Sequence, residues 1–95
     1  MEPIKVGVIG VGHLGHHHAR VYTELFGTQL VGVVDLDEDR AASIGEGLGV
    51  PFYSNLDRFF ETAKPDAVSV VVPTVMHYEV SRLALERGIH VLIEQ

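Results

Sequence analysis

Six residues near the N-terminus have the spacing of a phosphate site. Gly10, Val11, Gly12, His13, Leu14 and Gly15 form G-x-G-x-x-G. They lie between an apolar run, Val6-Gly7-Val8-Ile9, and a segment of helical pattern. Each glycine has a separate task in such a turn. Gly10 allows the tight turn out of a strand. Gly12 has no Cβ, so a pyrophosphate can approach the backbone. Gly15 lets the following helix pack closely on the strand. The free N–H groups of the first helical turn then face the phosphates, aided by the helix dipole.

An acidic partner stands at the interval such a turn requires. Asp35 lies twenty residues after Gly15, at the end of the next apolar run. Its carboxylate can accept hydrogen bonds from both ribose hydroxyls of an adenosine. It would also repel a 2′-phosphate, so NAD is expected over NADP. Arg40 is open to three readings: flanking the adenine, binding a 2′-phosphate, or a solvated charge on a helix face.

The histidines carry less. His13, His16, His17 and His18 crowd one helical turn, and His13 could share a face with His16 or His17. No carboxylate or cysteine nearby completes a ligand set, and consecutive histidines splay by about 100°. No metal site is expected. The plain reading is packing for one or two of them and solvent for the rest; the alternative is a shared positive charge near the phosphates at low pH. His77 falls on the ligand side of the sheet, and His90 is expected to be structural. No serine–histidine–acid spacing stands out, and no P-loop lysine follows the glycines, which disfavours hydrolase and triphosphatase chemistry.

The elements that must position these residues follow from alternating apolar runs and helical periods. Strands are predicted at Ile4–Ile9, Gln29–Asp35, Phe52–Tyr53, Ala67–Val72 and Ile89–Ile93. Helices are predicted from Val11 to Phe26, Glu38 to Leu48, Arg58 to Ala63 and Met76 to Arg87. In the first, Leu14, Ala19, Tyr22, Leu25 and Phe26 are available to face the sheet. Asp37 is the expected cap of the second, and Ser54-Asn55-Leu56-Asp57 has the form of a capping box before the third. Val80, Leu83 and Ala84 share a face of the fourth. Right-handed crossovers then give a doubly wound, Rossmann-type α/β sheet of order 3-2-1-4-5. Gly10 to Gly15, Asp35 and Pro73-Thr74 line one edge of it.

Composition bounds the rest. The 95 residues suffice for one small domain, residues 1–95. At 46% hydrophobic and 21% charged, the chain is that of a globular protein. A formal charge of −6 argues against nucleic acid or an anionic membrane as main partner. There is no cysteine, hence no disulfide framework and no thiol chemistry. No apolar run approaches the ~18 residues of a membrane span. A start of Met1-Glu2-Pro3-Ile4-Lys5 is unlike a signal peptide, so a cytoplasmic location is the default.

These residues together resemble the glucose–fructose oxidoreductase / inositol dehydrogenase (Gfo/Idh/MocA) family. Gly10 to Gly15 followed by His18-Ala19 is similar to its fingerprint. Asp35 and Asp39-Arg40-Ala41 match its second strand end and continuation. Pro73, Thr74 and His77 are similar to its fourth-strand turn, and Gly88-Ile89-His90-Val91 with Glu94 match its run into Glu-Lys-Pro. The resemblance implies NAD as cofactor, Pro73, Thr74, His77 and Glu94 in the cofactor site, and hydride transfer on a sugar, inositol or related polyol. Gln95 stands where the family has a lysine that assists proton transfer. Glutamine has no titratable proton to relay. The family's second, substrate-binding domain is absent from these residues. The expectation is a truncated cofactor domain that is inactive alone and forms a homodimer through an exposed edge or face. The alternative is a non-catalytic nucleotide-binding or redox-sensing module.

Overall fold

The computed structural model describes residues 2–93. Nine elements follow in order: β1 (Ile4–Ile9), α1 (His13–Glu24), β2 (Thr28–Val34), α2 (Glu38–Leu48), β3 (Phe52–Tyr53), α3 (Leu56–Ala63), β4 (Ala67–Val70), α4 (Thr74–Glu86) and β5 (His90–Ile93). The strands form one parallel sheet of order β3-β2-β1-β4-β5. Both faces of the central strands are covered, so their side chains are apolar in both directions. Val8 and Val33 point into one core with Ala19 of α1, and Ile44 and Leu48 of α2 pack against it. Ile9, Val34 and Val70 point into the other, with Phe59 and Phe60 of α3 and Val80 and Ala84 of α4.

Two glycines in the sheet make room for an aromatic ring. Gly7 and Gly32 are cross-strand partners on β1 and β2. Phe59 is fully buried against both. A Cβ on Gly7 would run into the tip of that ring, and one on Gly32 would lie 3.0 Å from Phe59 Cε1. Tyr53 meets the same ring edge-on, with centroids 5.4 Å apart.

Helix ends account for most departures from the predicted bounds. Helix α1 starts at His13 and stops at Glu24. The hydroxyl of Thr28 donates to the carbonyls of Tyr22 (3.1 Å) and Leu25 (2.9 Å), taking up acceptors that a further turn would need. Leu25 and Phe26 therefore lie beyond the helix and are exposed, as is Leu14. The face toward the sheet consists of Gly15, Ala19 and half-buried Tyr22, spaced by four and three; Leu14, one residue earlier, is turned about 100° away. At α3 the cap is Asn55, not Ser54: its side chain accepts from the Arg58 N–H at 2.9 Å. Asp37 caps α2 as expected, accepting from the Arg40 N–H at 3.1 Å. Strand β4 ends at Val70, two residues early, and α4 begins at Thr74, two residues before Met76. Strand β2 runs Thr28–Val34, leaving Asp35 just past its end.

Candidate functional site

The carboxyl ends of β1, β2 and β4 open onto a cavity of about 300 Å³. Gly10 and Gly12 line it from the glycine turn, and Asp35, Leu36 and Arg40 line it from β2 and α2. Val71, Val72 and Pro73 close it from the far side of the turn. This edge lies where the chain order reverses between β1 and β4, the place at which open α/β sheets bind ligands.

The three glycines differ in surroundings. Gly10 has φ +94°, a left-handed conformation, and a Cβ there would press on the Val71 carbonyl. Gly15 sits against the Gly10 carbonyl, so the first turn of α1 rides directly on the end of β1. Gly12 is different: its φ is −66° and the nearest atom to a Cβ there is Arg40 Nη1, at 3.8 Å. It is the N-cap residue of α1, and no side chain caps that helix. The amides of its first turn are thus left without a side-chain cap.

Asp35 is held from two directions. Oδ2 accepts from the Val11 N–H at 3.0 Å, and Oδ1 accepts from the Asp37 N–H at 2.9 Å. Its side chain is only 11% exposed. Arg40 Nη1 lies 3.7 Å from Asp35 Oδ2, and Nη2 lies 3.9 Å from Asp37 Oδ2, with the arginine half-exposed. Arg40 is thus a charge leaning over the glycine turn as well as one on a helix face.

Of the other residues singled out, Pro73 borders the cavity and Thr74 begins α4 beside it. His77 turns back onto the β4–α4 loop, its Nε2–H donating to the Val72 carbonyl at 2.7 Å. His13, His16 and His17 are exposed together along α1, with His17 Nδ1 3.3 Å from Arg20 Nη2. Among the described residues no group of three His, Cys, Asp or Glu converges on a metal position. His90 is exposed at the start of β5. Glu94 and Gln95 lie outside the described residues.

Several lining residues were not singled out from the sequence. The sequence pattern places Val71 and Val72 in a strand, and the early end of β4 puts them in the loop facing the cavity. Leu36 is 70% exposed at the cavity mouth. A signal for it existed: an isolated apolar residue between Asp35 and Asp37 at the ligand edge has no core to join. Leu56 and Met76 line the floor from α3 and α4, and nothing in the sequence pointed to them.

A five-stranded parallel sheet of this order, with a glycine turn at the reversal and an acid after β2, defines a Rossmann-type domain. The chain belongs to the GFO_IDH_MocA family, described as an oxidoreductase family with an NAD-binding Rossmann fold, whose model matches residues 4–95. It is 41% identical over 95 residues to UDP-N-acetylglucosamine 3-dehydrogenase of Acidithiobacillus ferrooxidans, covering 100% of this chain and 29% of that protein. The solved structure of that enzyme superposes with a TM-score of 0.90. Inositol 2-dehydrogenase of Renibacterium salmoninarum is 32% identical over 93 residues, 97% of this chain and 28% of that protein. Scyllo-inositol dehydrogenase from Lactobacillus casei, solved with bound NAD(H) and scyllo-inositol, is 29% identical with a TM-score of 0.90, covering 99% of this chain and 28% of that one. The chain therefore spans less than a third of the length of these relatives. No helix among the described residues is long and apolar enough to cross a membrane.

Proposed function

We propose that this chain is the cofactor domain of a dehydrogenase that transfers a hydride between NAD and a hydroxyl group of a sugar, inositol or related polyol. The observation that carries the reading is the pairing of an open Gly12 backbone with an adjacent, two-oxygen acceptor at Asp35. The residues fit the dinucleotide. A diphosphate needs close backbone approach and free amides, and Gly12 and the uncapped start of α1 offer both. A ribose needs acceptors, and each Asp35 oxygen keeps one lone pair after its backbone bond. Leu36 and the aliphatic stem of Arg40 offer apolar cover for an adenine, and Val72 and Pro73 bound the opposite wall, with Thr74 and His77 behind them at the start of α4. The bound nicotinamide supplies the hydride chemistry; the protein binds and orients it.

These 95 residues alone are expected to bind the dinucleotide and turn over no substrate, since Gln95 replaces the lysine that the resemblance calls for. The same glutamine is what favours the second reading, a non-catalytic nucleotide-binding module. Self-association is a further part of the proposal. Tyr78 and Leu85 of α4, with Ile93 of β5, form an exposed apolar patch next to a strand edge. A monomeric mass by light scattering at high concentration would count against it.

Calorimetric titration with NADH, NADPH, adenosine nucleotides and coenzyme A tests the central claim. NADH is expected to bind tightest, and Asp35→Ala to weaken it about tenfold or more. Tighter binding of NADPH, or an affinity for NADH unchanged by Asp35→Ala, would refute the assignment of Asp35. Preference for coenzyme A would favour the non-catalytic module.

A further inference from the structure

We infer that Asp35 is a positioning residue for the glycine turn, so that ribose recognition and the shape of the diphosphate cradle depend on one carboxylate. The inference extends the dinucleotide reading, but its first half is a property of the chain without ligand. Asp35 Oδ2 accepts from the N–H of Val11, the residue between Gly10 and Gly12. Val11 is 1% exposed, so that N–H has no water to turn to if the carboxylate is removed. The other end of the turn is tied separately: the Gly10 N–H donates to the Val34 carbonyl at 2.7 Å and the His16 N–H to the Gly12 carbonyl at 2.8 Å. Val11 is thus the middle of the turn, and its polar anchor is a side chain from another strand, 24 residues away.

The count of lone pairs allows both tasks at once. An ionised carboxylate presents about four acceptor positions. The Val11 and Asp37 amides take one on each oxygen, leaving one on each for the two ribose hydroxyls. A ribose at Asp35 therefore adds to the tether rather than replacing it. Arg40 Nη1, at 3.7 Å, stands outside hydrogen-bond range and does not compete.

Two variants of the 95-residue chain separate this from a ribose-only role. Asp35→Ala removes both acceptors. Asp35→Asn keeps one carbonyl oxygen, which goes to the buried Val11 amide because the Asp37 amide belongs to an exposed residue that water can serve. Both lose the charge equally. Amide hydrogen exchange read by NMR is expected to speed up about tenfold at Val11 in Asp35→Ala and to stay near the wild-type rate in Asp35→Asn, with the core amides of Val8 and Val33 unchanged in both. The second arm uses an NAD analogue whose adenosine carries a 2′,3′-dideoxyribose. Lacking both hydroxyls, it cannot sense a ribose acceptor. Asp35→Asn is expected to bind it about tenfold more tightly than Asp35→Ala. Equal Val11 exchange in the two variants, or equal affinity for the analogue, would overturn the tether. Wild-type chain that shows the expected exchange pattern yet binds neither NAD nor the analogue would overturn the dinucleotide reading and leave the tether standing.

Discussion

Alanine at Gly12 and alanine at Gly15 should have opposite consequences, although the two residues belong to one motif. At Gly15 the added Cβ overlaps the Gly10 carbonyl oxygen and lies 2.8 Å from its carbon. Carbon atoms pack at about 3.5–4.0 Å, so the start of α1 must move away from β1 by roughly 0.7 Å or more. Both contacting groups are backbone, which cannot rotate aside. Over-packing of this kind costs about 1–3 kcal/mol, which in a domain of this size lowers Tm by roughly 5–20 °C. At Gly12 the same methyl meets only Arg40 Nη1, at ordinary contact distance, and the backbone φ of −66° suits alanine. The remaining cost is the poorer N-cap, about 0.5–1 kcal/mol. Its methyl, however, occupies the approach to the α1 amides. Thermal melts followed by circular dichroism, with NADH titration of each variant, read both effects. Gly12→Ala should melt within about 8 °C of wild type and lose NADH binding. Gly15→Ala should melt well below it. Equal melting temperatures, or wild-type NADH affinity in Gly12→Ala, would refute the division of labour between the two glycines.

Three further outcomes follow from packing and hydrogen bonding. Phe59→Ala empties the space that Gly7 and Gly32 open beneath the sheet; a loss of about 3–5 kcal/mol is expected by urea titration, and one below about 1 kcal/mol would contradict the described packing. Tyr22→Phe leaves the buried Ser69 hydroxyl without its 2.7 Å partner. A loss of about 1–2 kcal/mol is expected, largely recovered when Ser69→Ala is added, and a double-mutant cycle measures the coupling. Ser81 Oγ is buried with no hydrogen-bond partner among the described residues, so Ser81→Ala should leave Tm unchanged or raise it, and a marked fall would contradict that environment.

The order of elements was legible because it rests on local rules. Val6 to Ile9 and, apart from Ser69, Ala67 to Val70 are apolar on both sides, as strands covered twice are, and Asp37 announces the start of α2 by its own side chain. The glycine turn and Asp35 were legible for the same reason: a tight turn, a close approach and an acceptor each need a particular residue type at a particular interval. Where elements stop was less legible, since Thr28 ends α1 by reaching back to carbonyls three and six residues away in a conformation no single segment specifies.

What the chain's own order of residues determined is the parallel sheet, its reversal point and the chemistry available at that edge, all of which follow from residue type and spacing. Only the tertiary structure decided that Phe59 lies across Gly7 and Gly32, that Val71 and Val72 face the cavity, and that Asp35 holds the Val11 amide. Each of these joins segments far apart in the chain, and such contacts depend on how whole elements pack, which no local pattern encodes.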